Sequence, residues 1–195
     1  MENLSTKTDI HLARKVVHAM TGLSLALTLK YIDNPAIKNI FYFIALLGVI
    51  TDLSRFYSHK FNAILLKKFR LLARAEEEKS LSGMTAYFLG ASLALIFSTT
   101  SQTAILLLVV AIADPLASLM GIKFGKIKLY QHKSWVGLVT YFIFAAVIFT
   151  FTSDFAMIEV LTLALTLALV ESFMPLNDNI SVPLVGSLLL SSFSH

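Results

Sequence analysis

What most constrains this chain is a succession of seven apolar runs separated by short polar links. They cover approximately Val17 to Ile32, Ile40 to Tyr57, Met84 to Ser98, Ala104 to Ile122, Trp135 to Thr152, Phe155 to Val170 and Ile180 to Phe193. A helix needs about 20 apolar residues to cross the hydrocarbon core, fewer where its ends snorkel or the bilayer thins. The last run is the weakest by that measure and also suits a re-entrant segment. With 56% hydrophobic and 14% charged residues, the chain is too apolar for an ordinary soluble domain. In lipid, only elements that satisfy their own backbone polar groups can span. The expected fold is all-α: a polytopic transmembrane helical bundle of about seven spans, forming a single integral membrane domain over residues 1–195. No cleavable signal is expected, because the first ten residues are polar.

The distribution of cations orients that bundle. Fourteen of the 16 Lys and Arg residues fall on one side: Lys7, Arg14 and Lys15, the seven from Arg55 to Lys79, and the four from Lys123 to Lys133. Lys30 and Lys38 alone fall on the other. The positive-inside rule then places the N-terminus and the long loops in the cytoplasm, and seven crossings place His195 outside. A net charge of +4 fits loops beside anionic headgroups better than a nucleic-acid surface. The absence of cysteine excludes disulfides, thiolate zinc sites, iron–sulfur clusters and cysteine nucleophiles. Any metal must be held by oxygen or histidine.

The polar segment from about 58 to 83 is too short to build a core of its own. Phe61, Ile64, Leu65, Phe69 and Leu72 recur there at helical spacing, opposite Lys60, Lys67, Arg70 and Arg74. That pattern suits an amphipathic helix in the membrane interface, and equally an extension of the second span. Glu76, Glu77 and Glu78 suit a solvated charge run.

A carboxylate within a membrane helix costs roughly 2.5 to 3.5 kcal/mol on insertion scales, so each one is a functional candidate. Asp52 ends the second run, Asp114 lies inside the fourth, Glu171 ends the sixth and Asp178 follows it; all four fall toward the cytoplasmic face. Asp52 has an ordinary alternative in Arg55, one turn on. After Asp114 comes Pro115, which removes a backbone donor, and then Ser118, Gly121 and Gly125 along one helical face. Such a stripe admits a ligand or another helix. The loop from Lys123 to Lys133 ends in Lys133, Ser134, Trp135, Val136 and Gly137. There Ser134 can cap a helix whose first amides and dipole favour an anion. Near the N-terminus Arg14, His18 and Gly22 share a face, with Lys15 alongside, an arrangement that suits a phosphate, a proton transfer or a topogenic anchor. Carboxylates for a divalent cation, cations for phosphates and a bundle that admits a lipid together fit phosphoryl or nucleotidyl transfer onto a lipid.

In order, Arg14-Lys15-x-x-His18, Asp52, ADPLASLMGIKFGK from Ala113 to Lys126, Lys133-Ser134-x-x-Gly137, and Glu171 with Asp178-Asn179 and Pro183 resemble the CTP-dependent lipid kinases, the family of dolichol, phytol and yeast-type diacylglycerol kinases. The resemblance runs from Arg14 to about Pro183. Its central piece is shared with phosphatidate cytidylyltransferases, whose C-terminal Lys-Asp, Gly-rich and Asp-Arg pattern is missing here. It implies a kinase that transfers the γ-phosphoryl group of CTP to a lipid alcohol at the cytoplasmic face, with Mg²⁺ held by Asp114 together with Asp178 or Glu171. Phosphate and nucleotide contacts fall to Arg14, Lys15, Ser118, Gly121, Gly125, Lys126, Lys133, Ser134, Gly137 and Asn179. His18 approaches from the first helix, and Asp52 or Asp178 comes first as general base. Where the family usually has Glu before the glycine of the Lys-Ser motif, this chain has Val136, so Glu171 or Asp178 must act alone in that role or activity is altered. The expected partners are a nucleoside triphosphate and a membrane lipid alcohol, with no nucleic acid and with a homodimer left open. A CDP-lipid synthase and, more distantly, an ion- or proton-coupled transporter are the rival readings.

Overall fold

The computed structural model of the protein describes residues 6–32, 34–68, 80–130 and 133–193, except for the side chains of 6–14 and 66–68. The described residues form eight helices: α1 Thr6–Tyr31, α2 Ala36–Tyr57, α3 His59–Lys68, α4 Gly83–Phe97, α5 Thr100–Phe124, α6 Trp135–Thr152, α7 Met157–Phe173 and α8 Asp178–Phe193. An isolated bridge between Lys128 and Ser134 is their one β-type pairing. The fold is all-α, and α2, α5 and α6 are each long and apolar enough to cross a membrane. The apolar faces turned outward have helical spacing too, with Leu161, Leu165 and Leu169 exposed on α7 and Ile143, Val147 and Phe151 on α6. Such faces suit lipid rather than water.

Local sequence explains where the helices begin. Ser82 caps α4 by accepting from the Thr85 N–H at 3.2 Å. Thr99 and Gln102 form a reciprocal capping box on α5, with bonds of 3.0 and 3.2 Å. Ser134 caps α6 through the Gly137 N–H at 3.2 Å, and Asn177 accepts from the Asn179 N–H at the head of α8. Glu159 reaches back to the Ala156 N–H at 2.8 Å before α7. Each bond satisfies an amide that the helix leaves without an internal partner.

The core runs through α5. Its Leu106, Leu107, Val109, Val110, Ala111 and Ala113 are almost wholly buried, with α1, α6 and α8 packed on it, while α4 packs on α2 and α8. Pro115 sits inside α5 without ending it, and Pro183 does the same in α8. A proline cannot donate to the carbonyl four residues earlier, so Pro183 leaves the Asn179 carbonyl without its helical donor. That oxygen lies where a Cβ on Gly90 of α4 would be. The absence of a side chain at Gly90 therefore lets the head of α8 close against α4.

Helix α3 carries the first part of the amphipathic segment, with Phe61 and Ile64 exposed. Phe69, Arg70, Leu72, Arg74 and the Glu76 to Glu78 run lie outside the described residues. Contacts bring together the last turns of α2 and the residues before α4, the starts of α6 and α8, the end of α7 and the second half of α5, and through His18 they join α4 to α5. Asp52, Asp114, Glu171 and Asp178 lie toward the end of the bundle that these contacts define.

Candidate functional site

Three carboxylates from three helices meet at this end. Asp114 comes from the second half of α5, Glu171 from the end of α7 and Asp178 from the first position of α8. One oxygen of each lies within 4.8 Å of the others. Glu171 is 4% exposed, and Ser172 donates to its second oxygen at 3.1 Å. Three hard oxygen donors in one small space are suited to a cation such as magnesium, calcium or manganese.

Lys133 brings a positive charge to the same place. Its Nζ bonds Glu171 Oε1 at short range and Asp178 Oδ2 at 2.9 Å. Burial opposes the charge on Lys133, but Asp178 and Glu171 outweigh that effect and hold its pKa above the ordinary lysine range. The loop that presents it is tied back on itself, with the Leu129 N–H donating to the Lys133 carbonyl at 3.0 Å and the Lys133 N–H to the Tyr130 carbonyl at 2.9 Å. Tyr130 also stacks on Phe173, with ring centroids 6.3 Å apart, which draws the loop onto the end of α7.

On the other side of Asp114 stands His18 of α1. Its Nε2 is 3.3 Å from Asp114 Oδ2 and 3.2 Å from the Tyr87 hydroxyl. The imidazole is thus held between a carboxylate and a phenol, with its ring tilted on that of Tyr87 at 4.7 Å.

The small residues between these groups act in packing. Ser134 is 2% exposed, and its hydroxyl sits against Gly121 and Gly125, where added Cβ atoms would collide with it; at Gly121 the separation would be 2.9 Å. Across the same contact a Cβ on Gly137 would stand 3.2 Å from the Ala117 carbonyl. The stripe therefore seats the start of α6 on α5, and the Ser134 hydroxyl is committed to the Gly137 amide. Ser118 is half-buried one turn beyond Asp114, and Lys126 is exposed on the loop. Asn179 is buried beside Asp178. Lys15 is half-buried on α1, while the Arg14 side chain lies outside those described.

Asp52 belongs to a different arrangement. Its Oδ1 is 3.5 Å from Arg55, and its Oδ2 accepts the Ser82 N–H at 2.9 Å. Arg55 also donates to the Ser80 carbonyl at 2.8 Å. This pair fastens the end of α2 to the residues that begin α4, and Asp52 is not among the three clustered carboxylates.

Two aromatic residues at the site have no counterpart among the sequence-based candidates. Tyr87 holds His18, and Tyr141 on α6 is fully buried within electrostatic reach of Glu171, Asp114 and Asp178. The Tyr141 hydroxyl has no hydrogen-bond partner among the described residues. An aromatic residue in an apolar run is an ordinary core residue by pattern alone, and only the fold brings these hydroxyls to the carboxylates.

Comparison with known proteins adds one distant relative. No family model matches the chain, and no solved structure matches it. The chain is 25% identical over 198 residues to an uncharacterized protein of Rickettsia prowazekii (strain Madrid E), an alignment that covers 96% of each chain.

Proposed function

We propose that this chain is an integral membrane kinase of about seven spans with its N-terminus in the cytoplasm, transferring the γ-phosphoryl group of CTP to a lipid alcohol. The observation that carries the reading is the meeting of Asp114, Glu171 and Asp178 with Lys133 at one end of an apolar bundle. Phosphoryl transfer needs a divalent cation across the phosphates and cations around them, with little covalent chemistry from the protein. The three carboxylates would hold Mg²⁺. Lys133, now paired with two of them, would turn to the phosphates, with Lys126, Lys15 and Arg14 as further cations at the rim.

In the transfer, the alcohol oxygen forms a bond to the γ-phosphorus, the bond from that phosphorus to the β–γ bridging oxygen breaks, and CDP leaves. The alcohol proton must go to a base. Asp52 is engaged with Arg55 and the Ser82 amide, and Asp178 would be taken up by the cation, so His18 is the better placed group. Its imidazole stands next to Asp114, whose charge would stabilise the imidazolium that forms. The preference for CTP rests on the resemblance of Ala113 to Lys126 and of Lys133-Ser134 to the CTP-dependent lipid kinases.

The test is transfer of γ-labelled CTP or ATP, with Mg²⁺, to diacylglycerol, phytol and polyprenol by the purified, folded chain. Label should appear in one class of alcohol and fall by about 10²-fold or more in Asp114→Asn and Lys133→Ala, as expected when charge stabilisation of the transition state is removed. No labelled alcohol from the folded protein would sink the kinase. Release of pyrophosphate from CTP and phosphatidic acid would establish a CDP-lipid synthase in its place.

A further inference from the structure

Glu171 has both carboxylate oxygens engaged, Oε1 by the Lys133 ammonium and Oε2 by the Ser172 hydroxyl. The same ammonium holds Asp178 at 2.9 Å, and Asp114 lies 3.3 Å from His18. Lys133 therefore already stands among the oxygens that would receive a divalent cation. Ions such as Mg²⁺ and Ca²⁺ bind carboxylate oxygens at about 2.0 to 2.6 Å. A cation that took Glu171 and Asp178 would come within a few ångströms of the ammonium. Because Glu171 is almost wholly buried, the repulsion between the two would be little screened.

Tyr141 is a second, independent sign that the cluster takes a ligand. Added Cβ atoms at Gly121 and Gly125 would meet Ser134, and one at Gly137 would meet the Ala117 carbonyl. Helices α5 and α6 thus run antiparallel, in a register that sets Tyr141 beside Ala113 and Asp114. The Tyr141 hydroxyl is fully buried within electrostatic reach of all three carboxylates, and no described residue bonds it. Lys133 neutralises the carboxylates but does not satisfy that hydroxyl. A cation, which carries oxygen ligands or water with it, can do both.

Lys133 also has a way out. Its side chain is 35% exposed and carries a compact charge on a flexible four-carbon stem. Its backbone is held separately, by the bonds to Leu129 and Tyr130. The ammonium can leave the carboxylates by rotation of its own side chain, without movement of the loop. We propose that Lys133 is a built-in competitor of the divalent cation: its ammonium fills the cluster in the cation-free protein, and a cation enters among Asp114, Glu171 and Asp178 by expelling it toward solvent. That the expelled ammonium then meets a phosphate rests on the kinase reading; the competition itself does not.

The experiment titrates Mn²⁺ alone, without nucleotide, into the metal-free full chain in detergent and follows the loss of the free-ion electron paramagnetic resonance signal. Lys133→Met should bind Mn²⁺ about tenfold more tightly than the unaltered chain, as expected when a competing charge among the carboxylates is removed. Lys133→Arg, which retains the charge, should bind no more tightly than the unaltered chain. Lys123→Met, which removes an exposed charge at the end of α5, should change the affinity by less than about twofold. Glu171→Gln should weaken binding both with and without Lys133→Met. Where Lys133→Met is unstable without metal, Mn²⁺ should raise its unfolding temperature more than that of the unaltered chain, which reads the same competition. Equal or weaker Mn²⁺ binding by Lys133→Met, an equal gain in Lys133→Arg, or binding indifferent to Glu171→Gln would overturn the proposal. Tighter binding by Lys133→Met with no labelled alcohol in the transfer assay would keep the competition and remove the kinase. Transfer by the unaltered chain with Mn²⁺ affinity unchanged in Lys133→Met would do the reverse.

Discussion

Lys133 and Glu171 are the pair in which one substitution separates two kinds of contribution. Lys133→Met leaves Glu171 buried beside Asp178 and Asp114 with its main counter-charge gone. The cost should be about 1 to 3 kcal/mol, between the values for exposed and buried pairs, because Lys133 is 35% exposed while Glu171 is 4% exposed. Adding Glu171→Gln should recover most of that loss, and a double-mutant cycle of unfolding in detergent measures both. The pKa of Lys133 is raised, so the sign of its linkage is fixed. Its contribution is complete below the ordinary lysine pKa and is lost only as the pH climbs through the higher folded value. Unfolding measured from pH 7 to pH 10 should therefore show no loss traceable to Lys133. Asp114 and Glu171 were legible in the sequence because a carboxylate within or at the end of an apolar run is costly and so conspicuous, and Asp178 because it follows Glu171 at the same rim. Tyr87 and Tyr141 were not, since nothing in a run of Leu, Phe and Ala marks which hydroxyl will face a charge.

Among helices, the packing of α4 on α8 has its own marker in Gly90. A methyl group at that position would collide with the Asn179 carbonyl, which is backbone and cannot rotate away. Gly90→Ala should therefore destabilise the bundle by about 1 to 3 kcal/mol, the usual cost of overpacking, although alanine is the better helix former. Gly48→Ala meets only the Thr85 side chain, which can turn, and should cost less; thermal unfolding of the two variants in the same detergent compares them. Ser134→Ala should cost about 1 kcal/mol through the lost α6 cap, read in the same assay. The cap at Ser134 was visible in sequence as a hydroxyl just before an apolar run. The Gly90 contact was not visible, because it depends on a carbonyl released by Pro183 in a helix almost a hundred residues away. Apolar counting also places the start of α1 near Val17 rather than Thr6, since it detects the part suited to lipid and not the polar turns that continue the same helix.

For the whole molecule, the outstanding property is the direction of insertion, and the lack of any cysteine makes it directly measurable. The site, the α5–α6 loop and fourteen of the 16 Lys and Arg residues fall on one side of the proposed topology. Single cysteines placed at Lys126, which is exposed on that loop, and at Asp154, which is exposed between α6 and α7, should sit on opposite faces. A membrane-impermeant maleimide added to intact cells should modify Asp154→Cys and reach Lys126→Cys only after permeabilisation. Labelling of Lys126→Cys from outside would invert the topology and move the proposed nucleotide site away from cytoplasmic CTP. The last helix needs a third position. α8 starts at Asp178 beside the cluster and spans 16 residues, about 24 Å at the helical rise per residue, slightly short of the hydrocarbon thickness. Ser192, exposed near its far end, is reached from outside as Ser192→Cys if α8 crosses. If α8 is re-entrant, that residue is reached from the cytoplasmic side, the bundle has six crossings, and both termini share the face that carries the site.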